Sequence, residues 1–519
     1  MLTYLRFILP NEYGEKQLVS QISDHYSIKK ERPVLKSFSF YDTFDWRLFN
    51  KSLVLCESGS QFFLRRLFED TIQNRINITS QPVFIWDFPD SKLKEQLAPI
   101  IKMRALLKLV EIQSRSAPYR ILNLDEKTVV RLVYEKIRPF GTPDTSVLAT
   151  YLWLKPLKGY PKHSQRLTEQ CEESGFLPAK KEDIYFKALK VVKKKPGSYS
   201  SKIKIHLDPD MRSGEATKII LHSLLRVMKI NEAHLKKDVD TEFLHDFRVA
   251  IRRTRSALGQ IKLVLPQETT KRFKKDFAFV GKLSNQLRDL DVYLLKEDTY
   301  KKMLPAVLHD DIAPLFDFLR EKRSKMLKKV ISGLKSKKYV QIFHDWEVFL
   351  NNTSPESSSA PNADLPIINI ARKRISKLNL KIVKDGNRIL ENTQDEMLHA
   401  LRIECKKLRY LMEFFSNLFP REKIKILIAQ LKKLQDNLGD FNDLCVQEEY
   451  LLNIAKEWPT IYQKSKKILV AIGSLIGSLD KEKKIVKDAF AKTFTDFASP
   501  KNKELFRELF TNDHTGSLQ

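Results

Sequence analysis

The sequence predicts an α+β N-terminal domain built on an antiparallel sheet, followed by an all-α region of two similar halves. Three observations predict this. Short segments with period-two apolar alternation end near residue 155, helical periodicity dominates after residue 213, and the helical region repeats itself at a fixed offset. Alternation is typical of strands, helical spacing is typical of amphipathic helices, and an ungapped internal repeat indicates a duplicated structural unit.

The N-terminal alternation predicts strands with two helical patterns among them. The predicted strands are 2–9, 53–57, 62–68, 82–88, 108–116, 119–124, 128–137 and 149–155, and the helical patterns cover 90–107 and 162–175. We therefore expect residues 1–195 to form an antiparallel sheet or barrel with a few helices.

Two stretches of linker composition divide the remaining chain. Residues 196–212 follow a Lys run, begin with Pro-Gly and are rich in Ser, and residues 351–366 are rich in Ser, Pro and Asn. The helical halves are therefore 213–350 and 367–511, with Ser213 as an expected N-cap. Helices are predicted at 214–236, 241–264, 268–287, 289–303, a pair within 310–350, 366–389, 394–417, 421–438, 442–456, 460–479, 481–497 and 501–511.

A basic helix recurs once in each half. The stretch "LHDFRVAIRRTRSAL" (244–258) places His245, Arg248, Arg252 and Arg255 within an arc of about 80° beside an apolar stripe, with Arg253 outside that arc. The stretch "LHALRIECKKLRYLM" (398–412) repeats the pattern with His399, Arg402, Lys406, Lys407 and Arg409, at an offset of 154 residues. Solubility requires no such phase, so these residues are the candidate contacts to an anion held between two facing walls.

The repeat continues downstream of the basic helices. "NQLRDLDVYL" (285–294) aligns with "GDFNDLCVQE" (439–448), so Asp289 and Asp443 each follow the histidine by 44 residues. The two carboxylates are candidates either to orient a neighbouring Arg or His, or to cap a helix, and the cap is favoured. For the histidines, hydrogen bonding to phosphate and packing at the bundle junction both stay open, and no His or carboxylate spacing indicates a metal site.

Composition restricts the class of partner. The 519 residues carry 92 Lys and Arg against 64 Asp and Glu, a net charge of +28, which favours nucleic acid, polyphosphate or an anionic membrane surface. Four separate cysteines suit a reducing compartment, no signal-peptide pattern begins the chain, and the apolar stretch 468–479 is too short to span a bilayer. We expect a cytoplasmic protein without a cofactor.

Four motifs in order resemble the CHAD family, the conserved histidine α-helical domain. They are "HDFRVAIRRTR", "RDLDV", "KKLRY" and "LQDNLGDFND", and the resemblance covers about residues 213–510. It implies two four-helix bundles related by a pseudo-twofold axis. It also implies that inorganic polyphosphate binds the basic surface between them, and that the protein associates with polyphosphate granules.

The N-terminal region resembles the CYTH, or triphosphate-tunnel, family through "YDTFDWRLFNKSLVL" (41–55) and "GFLPAKKEDIYFKAL" (175–189). Members of that family hold a metal and a triphosphate with alternating carboxylates and cations. Two Glu-x-Glu-x-Lys strands of the family align with Leu2, Tyr4 and Arg6, and with Tyr151, Trp153 and Lys155, so the acidic pairs are missing. A hard metal ion needs oxygen ligands, so we expect a degenerate tunnel that holds at most an anion, through Arg6, Arg66, Arg131 and Lys155, and no catalysis.

Polyphosphate binding without catalysis is the function that these patterns favour, and two alternatives stay open. Nucleic-acid binders usually interleave aromatic residues with basic ones, and the basic arcs hold none. The second alternative is a metal-dependent triphosphatase or polyphosphatase in residues 1–195, which the missing carboxylates disfavour.

Overall fold

The computed structural model describes residues 5–10, 13–69, 71–141, 146–179, 183–203, 205–352, 360–461 and 466–511. The chain forms two compact units, Met1–Ser200 and Ser201–Gln519. The first is an α+β unit with an antiparallel sheet and the second is all-helical, which confirms the predicted fold class. No helix in the described residues is long and apolar enough to cross a membrane.

The strands of the first unit pair antiparallel throughout the described residues. They are β1 (Leu5–Leu9), β2 (Ser27–Lys30), β3 (Val34–Thr43), β4 (Leu53–Ser58), β5 (Gln61–Arg66), β6 (Ile72–Asn77), β7 (Leu106–Leu122), β8 (Thr128–Pro139), β9 (Ala149–Pro156) and β10 (Leu177–Pro178). Their order in the sheet is β10-β1-β9-β8-β7-β3-β4-β5-β6, with β2 paired to the end of β7. The accompanying helices are α1 (Glu15–Ser23), α2 (Lys92–Ile101), α3 (Pro161–Glu173) and α4 (Ile184–Val191).

Two sequence predictions about this sheet are wrong. Segments 108–116 and 119–124 belong to one long strand, β7, because Ala117 and Pro118 continue the pairing with β8. Segment 82–88 contains a 3-10 turn instead of a strand. The Asp87 carboxylate accepts hydrogen bonds from the backbone amides of Val83 (2.9 Å) and Phe84 (2.8 Å), which bends the segment away from a ladder.

The second unit is built from helices that repeat between its halves. They are α5 (Ser213–Leu235), α6 (Thr241–Gln260), α7 (Gln267–Leu283), α8 (Asn285–Leu295), α9 (Glu297–Lys302), α10 (Ala313–Leu334), α11 (Lys337–Asn351), α12 (Ile367–Glu391), α13 (Asp395–Phe414), α14 (Arg421–Ile461), α15 (Lys466–Asp488), α16 (Phe490–Phe497) and α17 (Pro500–Phe510). In the first half α5, α6, α7 and α11 pack together, and in the second half α12, α13, α14 and α17 do so.

A pseudo-twofold axis relates the halves at the starts of α5 and α12. The Ser213 amide donates to the Leu365 carbonyl (2.9 Å), and the Ile367 amide donates to the Met211 carbonyl (2.9 Å). Each bond maps onto the other through the 154-residue offset, and Arg212 pairs with its own counterpart, Pro366. The sequence repeat is therefore a structural repeat whose two copies contact each other at the starts of α5 and α12. Ser213 is the first residue of α5 rather than its cap, because its hydroxyl donates to the Leu365 carbonyl (2.6 Å).

The predicted break between 438 and 442 does not occur. A single helix, α14, runs through both predicted helices, and Gly439 is tolerated inside it. The corresponding place in the first half does break, at Ser284 between α7 and α8. Asp443 therefore lies inside α14 and Asp289 lies inside α8, so neither carboxylate caps a helix, and that prediction is wrong.

Candidate functional site

Helices α6 and α13 place the candidate residues, and both begin and pack for local reasons. The Asp240 carboxylate caps α6 by accepting from the amides of Glu242 (2.9 Å) and Phe243 (3.3 Å). The apolar stripe of α6 is buried, and so is the equivalent stripe of α13: Leu244, Phe247, Ile251, Thr254 and Leu258, and Leu398, Leu401, Cys405, Leu408 and Met412. Burial of these stripes fixes the rotation of each helix, so each basic arc lies beside the buried face of its helix.

The two basic helices contact each other, as the repeat suggested. Their meeting is stabilised by an ion pair between Arg253 on α6 and Glu413 on α13, at 2.6 Å, with the Arg253 side chain only 11% exposed. Arg253 also donates to the Ser201 carbonyl (2.9 Å) and lies over the Tyr410 ring. Arg253 therefore links the two halves through its ion pair with Glu413.

Arg248 is held by the junction between α7 and α8. One guanidinium nitrogen donates to Asn285 Oδ1 (2.8 Å), Ser284 Oγ (3.0 Å) and the Gly281 carbonyl (3.2 Å). Burial lowers the pKa of Arg248 to about 10, and repulsion from Arg252 adds to that effect. Arg248 is thus a positioned cation whose hydrogen-bond acceptors are neutral, with Arg252, Arg288 and the carboxylate of Asp289 as charged neighbours.

Arg402, the counterpart of Arg248, finds a different partner because α14 is continuous. Leu438 and Gly439 stand at the positions of Ser284 and Asn285 and offer no side-chain acceptor. Arg402 instead lies 3.4 Å from Asp443 Oδ1. Burial lowers the pKa of Arg402, Asp443 opposes this, and Arg252 on the other basic helix adds to it.

Arg252 and Lys406 are repeat equivalents at the centre of the arrangement. Burial lowers the pKa of Lys406 to about 8, with repulsion from Arg402 and Arg252 as the next causes. Arg252 is exposed and acts electrostatically on cations from both halves. The two walls therefore form one positively charged surface, because cations of one half lie close enough to repel those of the other.

Arg288 belongs to this surface although it was not among the candidates. It lies on α8, and burial lowers its pKa, with Arg252 contributing and Glu242 and Asp291 opposing. Within the described residues, Arg288 Nη1 is buried without a hydrogen-bond partner, and so is Arg402 Nε. The signal that could have found Arg288 is the "RDLDV" motif itself. The repeat does not single this residue out, because Asn442 replaces it in the second half.

Two carboxylates lie beside these cations. Partial burial raises the pKa of Asp289, Arg248 and Arg288 oppose this, and its repeat counterpart Asp443 adds to it. This effect indicates that the carboxylate of Asp443 lies near that of Asp289. We call Arg248, Arg252, Arg288, Arg402 and Lys406 the basic cluster. Asp289 and Asp443 lie beside it, and Glu242 and Asp291 lie near Arg288.

The remaining candidates lie at the edges of the cluster or are held by partners. Arg409 donates to Glu413 (2.8 Å) and Gln435 (3.1 Å), and Lys407 donates to Glu404 (2.8 Å). His399 is exposed and its Nδ1 lies 2.7 Å from Asn442 Oδ1. His245 is half-buried and Arg255 is exposed. Lys407 and Arg409 thus carry acidic partners that the cluster residues largely lack.

Of the four cations proposed for the N-terminal tunnel, Arg6 lines a cavity of the first unit and the other three do not. Arg6 lies against the rings of Tyr151 and Trp153, 5.2 and 5.0 Å from their centroids, and lines a cavity with them. Arg66 is exposed and lies beside Glu69. Arg131 on β8 and Lys155 on β9 stand opposite each other in the strand register and do not line that cavity. Leu2 and Tyr4 lie outside the described residues. Among the residues that are described, no three His, Cys, Asp or Glu side chains gather as metal ligands would.

Comparisons with known proteins agree with the motifs in the helical unit. Residues 219–452 match the model of the CHAD domain. The chain is similar to the CHAD domain from the plant Ricinus communis, at 23% identity over 56% of this chain and 95% of that one, with a TM-score of 0.48. It is also similar to PptA from Streptomyces chartreusis, at 16% identity over 55% of this chain and 100% of that one, with a TM-score of 0.44.

A third structure matches a shorter part. It is a candidate adenylyl cyclase from Hippeastrum that is described as having a dominant triphosphatase activity, at 13% identity over 38% of this chain and 99% of that one, with a TM-score of 0.26. A search of curated proteins finds no match.

Proposed function

We propose that the helical unit binds inorganic polyphosphate at the basic cluster and does not hydrolyse it. The observation that carries this is the convergence of cations from both repeats around Arg252, with buried guanidinium N–H groups of Arg288 and Arg402 left without partners in the described residues. Buried cations that lack acceptors are costly. A polyanion supplies acceptors and relieves the repulsion at once.

Phosphate oxygens suit this set of donors. Arginine offers forked donors to phosphate and lysine offers point charge, so the cluster can grip successive phosphates without recognising anything between them. The pseudo-twofold relation adds a second argument. A linear polyphosphate chain is the same in both directions, so equivalent walls can hold it in either orientation, whereas a single nucleic-acid strand has a direction and bases to accommodate.

The CHAD match over residues 219–452 supports the same ligand, since the resemblance implies polyphosphate binding. We further propose that the protein acts in the cytoplasm and associates with polyphosphate granules. The N-terminal unit contributes no phosphate hydrolysis in this proposal, because aromatic residues occupy the aligned positions Tyr151 and Trp153.

The test is a salt-titrated binding assay with long-chain polyphosphate, single-stranded RNA and duplex DNA as ligands. The variant is Arg252→Glu/Arg402→Glu. The matched control is Lys275→Glu/Lys373→Glu, which makes the same charge change at exposed positions of α7 and α12. By analogy with DNA, removing one cation that neutralises a phosphate reduces the slope of log affinity against log salt by about one.

Three outcomes are distinguishable. Tight polyphosphate binding that disappears in the variant and is kept in the control supports the proposal. Equal or tighter binding of either nucleic acid supports the alternative that the basic cluster binds nucleic acid. Phosphate release on addition of Mg²⁺ or Mn²⁺ contradicts the proposal that the protein does not hydrolyse polyphosphate and supports the triphosphatase alternative.

A further inference from the structure

The first unit contains a cavity of about 210 Å³ that the proposed function does not use. Aromatic and aliphatic side chains from several strands and from α4 make up most of its wall. Among the described residues these are Phe38, Phe40, Phe63, Phe68, Ile72, Ile112, Ile137, Tyr151, Trp153 and Ile184. The cavity lies within one compact unit, and Cys56 is its remaining uncharged lining residue.

The charged groups in the wall are matched within the protein. Arg65 and Asp183 form a two-bond ion pair, both bonds at 2.7 Å, with the Asp183 side chain 3% exposed. Glu135 accepts one hydrogen bond from the Trp153 indole (2.7 Å) and another from the Ser114 hydroxyl. The formal charges of the wall, including that of Arg6, therefore cancel.

Arg6 is the cavity-lining cation to consider as an anion-binding residue, and its surroundings disfavour that role. Its guanidinium lies against the rings of Tyr151 and Trp153 and donates to the Ala179 carbonyl (3.4 Å). Among the described lining residues, a triphosphate would bring several negative charges against Arg6 and the carboxylate of Glu135. Burying unpaired charge of that kind is strongly unfavourable.

The size and the mouth of the cavity indicate a small aromatic guest. An apolar protein cavity of about 150 Å³ is large enough to bind benzene, so 210 Å³ accommodates a substituted benzene or an indole ring. Phe68 and Ile72 line the cavity and are 57% and 42% exposed, so the described part of its rim presents apolar side chains to solvent. Aromatic walls also favour stacked or edge-to-face packing with a ring.

We propose that this cavity is a binding site for a small neutral aromatic molecule and does not bind a phosphate anion. The ring packs among Phe40, Phe63 and Tyr151. A polar substituent hydrogen-bonds to the side chains of Arg6 or Glu135. No residue of this site belongs to the basic cluster, so a result that refutes one of the two proposals leaves the other unaffected.

Ligand-observed saturation-transfer NMR on the full chain tests the site with indole and phenol as probes and tripolyphosphate as competitor. Two variants fill the cavity from different sides, Ile184→Trp at the start of α4 and Ile72→Trp at the rim. Leu35→Trp is the control, because Leu35 is an exposed apolar residue of the same unit outside the cavity.

The expected result is transfer to indole or phenol in wild type and in the control, and its loss in the filled variants. Circular dichroism verifies that each variant is folded, and either filled variant alone suffices. Absence of transfer in wild type overturns the proposal, as does transfer that persists in a folded, filled variant. Displacement of indole by tripolyphosphate overturns the assignment to a neutral ligand.

Discussion

Replacing Lys406 with methionine should stabilise the ligand-free protein and weaken its response to polyphosphate. Lys406 is a half-buried cation that lies close to Arg402 and Arg252, with no hydrogen-bond or ion-pair partner identified in the described residues. Methionine keeps the length and the apolar packing of the side chain and removes its charge. The same residue is thus expected to cost stability without ligand and to supply affinity with it.

The magnitude follows from the pKa. A fall from 10.5 to about 8 corresponds to an upper limit of roughly 3 kcal/mol against the charged form, at 1.36 kcal/mol per pH unit. Solvent reaches part of the side chain and screens the repulsion, so we expect a gain of about 1 kcal/mol. In a unit as long as Ser201–Gln519 that raises Tm by about 1–2 °C.

The pH dependence of this gain has a definite sign. Because folding lowers the pKa of Lys406, the unfolded chain binds its proton more tightly, and the penalty is complete below pH 8. The penalty shrinks as pH rises from 8 through 10.5 and vanishes above that value, where Lys406 is neutral in both states. The Tm difference between Lys406→Met and wild type should therefore be constant from about pH 6 to pH 8 and then decrease.

Ligand binding should show the complementary linkage. A polyanion beside Lys406 raises its pKa, so binding takes up a proton near pH 8 and weakens as pH rises above that value. Thermal unfolding followed by circular dichroism, with and without long-chain polyphosphate, measures the stability effects. Calorimetry in buffers of different ionisation enthalpy measures the proton uptake.

The neighbouring residue provides the control. Lys407 is ion-paired with Glu404 at 2.8 Å, so Lys407→Met should lower the free energy of unfolding, by at most about 1 kcal/mol, and leave the proton uptake unchanged. The reasoning is refuted if Lys406→Met lowers Tm in the absence of ligand. It is equally refuted if the variant gains as much stability from polyphosphate as wild type does.

Other substitutions separate structural residues from binding residues. Arg253→Met removes the interhelical partner of Glu413, which keeps its pairing with Arg409, and should cost about 1.5–3 kcal/mol in urea unfolding without changing the salt slope of polyphosphate binding; a reduced slope would contradict this. Arg288→Met should weaken polyphosphate binding and slightly raise Tm, and a fall in Tm with unchanged affinity in a titration would show that its role is structural. Gly386→Ala should cost about 1–3 kcal/mol or more in urea unfolding, because its Cβ would lie 1.9 Å from the Phe494 ring. The helical Gly473→Ala, with open space around it, should instead stabilise by about 0.5–1 kcal/mol.

Much of the helical unit could be predicted because its signals are local or repeated. An apolar residue every three or four positions requires a helix with one buried face, and the 154-residue offset requires two copies of the same packing. Those two facts predict the basic helices, their rotation and their pairing. The sheet was less predictable: β2 and β6, "SIKK" and "IQNRIN", lack clear alternation because their side chains are mostly exposed or half-exposed.

The sequence by itself determined the fold class, the duplicated helical half and the phase of the basic arcs. Only the tertiary structure decided which cations belong to one surface. Arg253 and Arg409 converge on Glu413, Lys407 pairs with Glu404, and Arg288 joins the basic cluster from α8. Periodicity fixes the direction in which a side chain leaves its own helix. Its partners depend on where the other helices pass, and residues far apart in the sequence decide that.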